Sequence, residues 1–224
     1  MIIVFDLDDT LYPEITYVKS GFAEVAAALS VQIGTHASTL LELFLSELDA
    51  SGRGKVFDNV YEALGVYSES RVEESVRIYR EHSPKITLPT SSSKVLDQLA
   101  EFPLHLVTDG DPDVQLRKID VLGIQSRFRS CLRTWSFGRE FGKPSLQCFE
   151  MIRDQEQAAW HELVYVGDDP SKDFISLREV GARTVRVRTG RHARVDALPP
   201  YEAEFDIDSL AELPSLISEL IAKR

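Results

Sequence analysis

The sequence predicts an α/β protein: a Rossmann-like parallel sheet core flanked by helices, with an all-helical cap domain inserted after the first strand. Short apolar runs that end in polar loops recur along the chain. Helical patterns separate most of them, which implies parallel pairing through right-handed crossovers. One long stretch, residues 13–88, shows helical periodicity and no strand pattern.

The first strand is Ile2-Ile3-Val4-Phe5, which stops at Asp6. The helical stretch follows. Val18, Phe22, Val25 and Leu29 repeat at helical spacing, then Leu40, Leu41, Phe44, Leu45 and Leu48, then Val60, Leu64, Val72, Val76 and Tyr79. A structureless loop of that length is rare, so the stretch reads as a separate cap, with Pro84 and Pro89 bracketing its return. The expected division is a discontinuous core of residues 1–13 and 89–224, with residues 14–88 as the cap. Ser91-Ser92-Ser93 reads as a helix start ahead of Val95, Leu96 and Leu99. Three more strands are expected at residues 104–107, 163–166 and 184–187, with helices at 114–122, 146–153 and 174–180.

Composition narrows the class. The 224 residues are 43% hydrophobic and 27% charged, which suits a globular protein with a sizeable core. A net charge of −11 argues against nucleic-acid binding, which needs a basic footprint, while leaving room for an anionic small substrate. Cys131 and Cys148 form neither a metal pattern nor a disulfide framework and are expected to be reduced and buried. No apolar run reaches the roughly 18 residues of a membrane span, and the N-terminal run is too short for a signal peptide. No membrane association is expected, and a cytoplasmic location is.

The chemistry gathers at the strand ends. Asp6 and Asp8 lie two residues apart, so their side chains point the same way, to one place beyond the strand's carboxyl end. Ligands bind there in open α/β sheets. Two crowded carboxylates need a cation, a shared proton or solvent. Thr108, with Asp109 and Gly110, ends the second strand. Gly142-Lys143-Pro144 precedes a helix, and Gly167-Asp168-Asp169-Pro170-Ser171-Lys172-Asp173 follows the third strand. Several carboxylates, a hydroxyl and a lysine at one edge suit phosphoryl transfer. Mg²⁺ takes oxygen ligands, an aspartate can attack phosphorus, a second can carry the proton, and lysine and hydroxyl groups hold the phosphoryl oxygens.

These motifs resemble, in order, those of the haloacid dehalogenase superfamily in its phosphatase branch. Asp6-Leu7-Asp8-Asp9-Thr10 matches its D-x-D-x-T motif, Thr108 its second, Lys143 its third, and Asp168 with Asp173 its acidic fourth. The resemblance covers nearly the whole chain. It implies Asp6 as nucleophile, Asp8 as general acid and base, and Thr108 and Lys143 on the phosphoryl group, with a backbone contact at Asp109. It implies Mg²⁺ held by the Asp6 side chain, the Asp8 carbonyl and Asp168, with Asp173 in an outer position or reaching the metal through water. The implied substrate is a small phosphorylated metabolite and the implied assembly a monomer or homodimer. Asp109 departs from the family's usual Asn, and an extra carboxylate there should repel substrate unless it is paired or turned away. Asp169 stands at a position that varies in the family.

Bland readings compete with these. An EF-hand loop starting at Asp6 would need Gly at its sixth position and Glu at its twelfth, where Leu11 and Tyr17 stand. Asp173 could stabilise a helix N-terminus. Lys172 reads as a surface residue or ion-pair partner. Arg183, Arg186, Arg188, Arg191 and Arg194, with His192, could extend an anion-binding rim, but their spacing reads better as a solvated face. Tyr12, Tyr17, Lys19, Arg53 and Tyr79 are read as cap residues that could set specificity. The expected function is a Mg²⁺-dependent phosphatase working through an aspartyl-phosphate. Alternatives are a phosphomutase or phosphotransferase, a 2-haloacid dehalogenase of the same fold, or a catalytically silent binding module.

Overall fold

The computed structural model describes residues 1–222. Its sheet contains β1 (Ile2–Phe5), β2 (Leu104–Thr108), β3 (Ser130–Arg133), β4 (Leu163–Gly167), β5 (Arg183–Val187) and β6 (Phe205–Ile207). The order is β3-β2-β1-β4-β5-β6, and every pairing is parallel. The α/β architecture expected from the sequence is therefore present. Two strands had not been anticipated. β3 reads Ser-Cys-Leu-Arg and is half-buried throughout, so it lacks an apolar run. β6 is three residues long at the sheet edge.

The helices are α1 (Glu14–Ile33), α2 (Ala37–Ser51), α3 (Val56–Ala63), α4 (Glu69–Glu81), α5 (Thr90–Gln98), α6 (Pro112–Leu122), α7 (Gln147–Gln155), α8 (Ile175–Glu179) and α9 (Leu213–Ala222). The chain divides into two compact units, one of Met1–Glu14 with Thr87–Arg224 and one of Ile15–Ile86.

In the α/β unit, β1, β2 and β4 are buried along their whole length, as parallel strands covered on both faces must be. Ile2, Val4, Val107, Phe149, Ile152, Leu163, Phe174 and Leu177 share one core cluster. Cys148 is buried there, whereas Cys131 on β3 is only half-buried, contrary to expectation. In the helical unit, Phe22, Phe44, Phe57 and Tyr61 pack ring against ring, and Val18, Val25, Leu29 and Leu40 surround them. Each such buried side chain contributes about 1.5–3 kcal/mol of transfer free energy. Tyr12, read from the sequence as a cap residue, belongs instead to the α/β unit.

Candidate active site

Parallel pairing brings every strand's carboxyl end to one edge. Phe5 is in register with Leu106 and with Val166, so β1, β2 and β4 end side by side. The chain goes from β1 to β2 on one side and later places β4 on the other. That reversal opens a crevice at the end of β1, where ligands bind in such sheets. Asp6 follows β1, Thr108 ends β2, and Asp168 follows β4.

Lys143 organises the centre. Its ammonium is fully enclosed and lies 2.7 Å from Asp6 Oδ1, 2.8 Å from Asp173 Oδ1 and 2.8 Å from the Tyr165 hydroxyl. Burial opposes its charge, but Asp173 and Asp6 more than offset that and hold it well above the ordinary lysine range. The Tyr165 hydroxyl donates to Asp173 Oδ1 at 3.1 Å, and the Asp169 amide donates to Asp173 Oδ2 at 2.9 Å. Both Asp173 oxygens are thus already engaged. Gly167 makes room for this arrangement, because a Cβ there would stand 2.5 Å from Asp173 Oδ2. Tyr165 was not singled out from the sequence. It sits in a strand that reads as plain core, with no local sign that its hydroxyl is used.

Asp6, Asp168 and Asp173 each offer an oxygen within 4.8 Å of the others, and all three are buried. Burial, and then the Asp173 charge, push the Asp6 carboxyl up to about 7 against the pull of Lys143. Burial, with Asp6, Asp173 and Asp9 nearby, pushes Asp168 up to about 9. Three crowded, enclosed carboxylates with one shared ammonium lack positive charge. An all-oxygen donor set of this kind fits a hard divalent cation such as Mg²⁺.

Asp8 faces a different neighbourhood. The Lys118 ammonium reaches both its oxygens at 2.8 and 2.9 Å, the Tyr12 hydroxyl donates to Oδ1 at 2.6 Å, and Gln115 Nε2 donates to Oδ2 at 2.9 Å. Burial opposes ionisation, but Lys118 and these hydrogen bonds outweigh it and hold the carboxyl below its ordinary range. α6 delivers Gln115 and Lys118. Asp111 caps it by accepting from the Asp113 and Val114 amides, Pro112 starts it, and the two polar residues sit one turn apart on its buried side. Neither had been read as a site residue. The available signal was their place at i and i+3 in an otherwise apolar stripe with Ile119 and Leu122.

Asp109 is paired, which answers the concern about repulsion. Its Oδ1 accepts from the Thr134 hydroxyl at 2.7 Å and the Lys143 amide at 3.1 Å, and its Oδ2 meets Lys172 at 2.9 Å. Lys172 is therefore an ion-pair partner at the site. The arginine stretch is a solvated face only in part, since Arg191 and Arg194 are exposed but Arg186 is not. Arg186 is 0% exposed, and its guanidinium binds Glu202 and the carbonyls of His192 and Val195. Arg183 pairs with Glu204 and Arg188 with Asp206. His192 faces the acidic loop, its Nδ1 3.0 Å from Asp169 and 3.6 Å from Asp168. Tyr17 and Tyr79 stack edge to face within the helical unit.

A doubly covered parallel sheet carrying clustered aspartates and a buried lysine at its topological switch defines a class of α/β hydrolase. The family model for haloacid dehalogenase-like hydrolases matches residues 1–181, and the chain belongs to that family. It is 30% identical to the glyceraldehyde 3-phosphate phosphatase of Methanocaldococcus jannaschii, over 97% of each chain. It is 27% identical to the protein of the same name from Methanopyrus kandleri, again over 97% of each. The fold superposes on a 2-haloacid dehalogenase of Pseudomonas syringae pv. Tomato with a TM-score of 0.66 at 22% identity, covering 98% of this chain and 100% of that one. No helix among the described residues is long and apolar enough to cross a membrane.

Proposed function

We propose that this hydrolase is a Mg²⁺-dependent phosphatase that cleaves a small phosphate monoester through an aspartyl-phosphate on Asp6. The observation that carries the reading is the buried cluster of Asp6, Asp168 and Asp173, with Lys143 against Asp6 and a second, separately held carboxylate at Asp8. Asp6, Asp168 and the Asp8 carbonyl would hold the metal, with Asp173 supporting from outside because its oxygens are engaged. When bound, Mg²⁺ neutralises charge on the phosphoryl oxygens.

Asp6 Oδ attacks phosphorus as the bond to the ester oxygen breaks. Lys143 favours the ionised form of Asp6, aims it and meets the phosphoryl oxygens, which Thr108 and the backbone at Asp109 also hold. An anionic phosphoryl group beside Asp8 favours its protonated form. Asp8 then gives that proton to the departing alkoxide and takes one from the water that hydrolyses the acyl phosphate.

The family also contains dehalogenases, and likeness of fold does not separate the two activities. The second aspartate and the acidic fourth loop favour the phosphatase. The named relatives make glyceraldehyde 3-phosphate the first monoester to test. Asp6→Asn is expected to abolish phosphate release with the fold intact by circular dichroism. Retained turnover, or dechlorination of 2-chloropropionate in EDTA, overturns the assignment.

A further inference from the structure

Gln115 is almost fully enclosed, and its side-chain amide bridges two residues of the site. Nε2 lies 2.9 Å from Asp8 Oδ2 and 2.5 Å from Thr108 Oγ1. The orientation of that amide is dictated by chemistry. Both Asp8 oxygens already accept from the Lys118 ammonium, so an amide oxygen set against Oδ2 would face an acceptor. The group facing it must therefore be the NH₂ end, and the same NH₂ faces Thr108. The Thr108 hydroxyl must then accept from Gln115, and its single proton needs another acceptor. Thr108 Oγ1 makes no second hydrogen bond among the described residues.

We infer that Gln115 is a positioning residue that turns Thr108 into an obligate hydrogen-bond donor toward the bound phosphoryl group. The inference rests on the phosphatase reading above. An isolated threonine hydroxyl can rotate to donate in several directions or merely accept. Here one direction is closed, so the donor is oriented before substrate arrives and little is lost in ordering it. Asp8 and Lys118 serve as the fixed reference, because they prevent the amide from turning over. The segment holding Gln115 is itself anchored, since its backbone amide donates to the Asp111 carbonyl at 3.0 Å.

The test is a double-mutant cycle between Thr108→Val and Gln115→Met in the Mg²⁺-loaded enzyme. The readouts are orthovanadate and inorganic phosphate binding by calorimetry, together with kcat and KM. Each single variant is expected to weaken vanadate binding by roughly 10-fold, the effect of one hydrogen bond to a charged group. Gln115→Met placed on Thr108→Val should add less than about threefold, since no hydroxyl remains to orient. A residue with a purely structural role would lower Tm but lose the same factor in both backgrounds, and that additivity overturns the inference, as does wild-type binding by Gln115→Met. If Gln115→Met does not fold, Gln115→Glu keeps the volume but offers acceptors to the Thr108 proton. Its loss of vanadate affinity should shrink in the Thr108→Val background, and an unchanged loss counts against the inference. A wild-type protein that neither binds vanadate nor releases phosphate from any monoester brings down the phosphatase reading itself. A normal wild type beside an unaffected Gln115→Met brings down this inference alone.

Discussion

The Lys118 ammonium grips both oxygens of Asp8, at 2.8 and 2.9 Å, and the two side chains are 4% and 19% exposed. Glu14 Oε1 stands 3.8 Å from the same ammonium. A lysine this enclosed is tolerated because carboxylates compensate it. Removing one partner leaves the other buried without its counter-charge. Lys118→Met is therefore expected to cost about 3–5 kcal/mol in urea unfolding. Asp8→Asn added to it should recover part of that loss, because the orphaned carboxylate goes with it. Strict additivity in the cycle would show that the pair is not coupled.

Asp109 makes a prediction with a definite pH sign. Burial opposes its ionisation, but Lys143, Lys172 and the hydrogen bonds from Thr134 and the Lys143 amide hold its carboxyl below the ordinary range. A carboxyl lowered in the folded state stabilises above its unfolded value, near 3.9, and loses that contribution as pH falls through the lower folded value. Asp109→Asn keeps an acceptor oxygen for Thr134 but removes the carboxylate that pairs with Lys172. At pH 7 the variant should be about 1–2 kcal/mol less stable than the parent. The gap should close progressively below about pH 4. A gap that widens on acidification contradicts the pairing.

The parts of the fold that were legible in the sequence are those where burial and chemistry coincide. β1, β2 and β4 announce themselves because an apolar run, buried on both faces, breaks at a carboxylate or hydroxyl on the functional edge. β3 and β6 lie at the two ends of the sheet and carry no such run, so period and composition are silent about them. Arg186 misled for a related reason. An arginine alternating with valines reads as the wet face of a strand, yet Glu202, far along the chain, returns to neutralise it. Among the candidate site residues, Asp6, Thr108, Lys143, Asp168 and Asp173 stand at loop or strand ends, where a polar residue is conspicuous. Tyr165, Gln115 and Lys118 lie inside a strand and a helix. Their side chains reach the site through tertiary packing that no local pattern reports.

On the phosphatase reading, the acidic cluster would set stability against metal binding. Asp6, Asp168 and Asp173 crowd within 4.8 Å, and Lys143 touches Asp6 and Asp173. Asp168 has His192 3.6 Å away, and burial lowers the tendency of that imidazole to carry charge. Asp168 is thus the least compensated of the three, and a bound cation relieves it most. Asp168→Asn removes the cost of burying that carboxyl among its acidic neighbours and should melt at a higher temperature than the parent in EDTA. Mg²⁺ should reverse the order. A ligand at about 100 times its Kd stabilises the parent by about 2.7 kcal/mol, whereas the variant has lost a charged ligand and should respond weakly. Thermal unfolding of both proteins across a Mg²⁺ series measures this. Equal Mg²⁺-induced rises in Tm would remove Asp168 from the metal site, and no rise in either protein would remove the site itself.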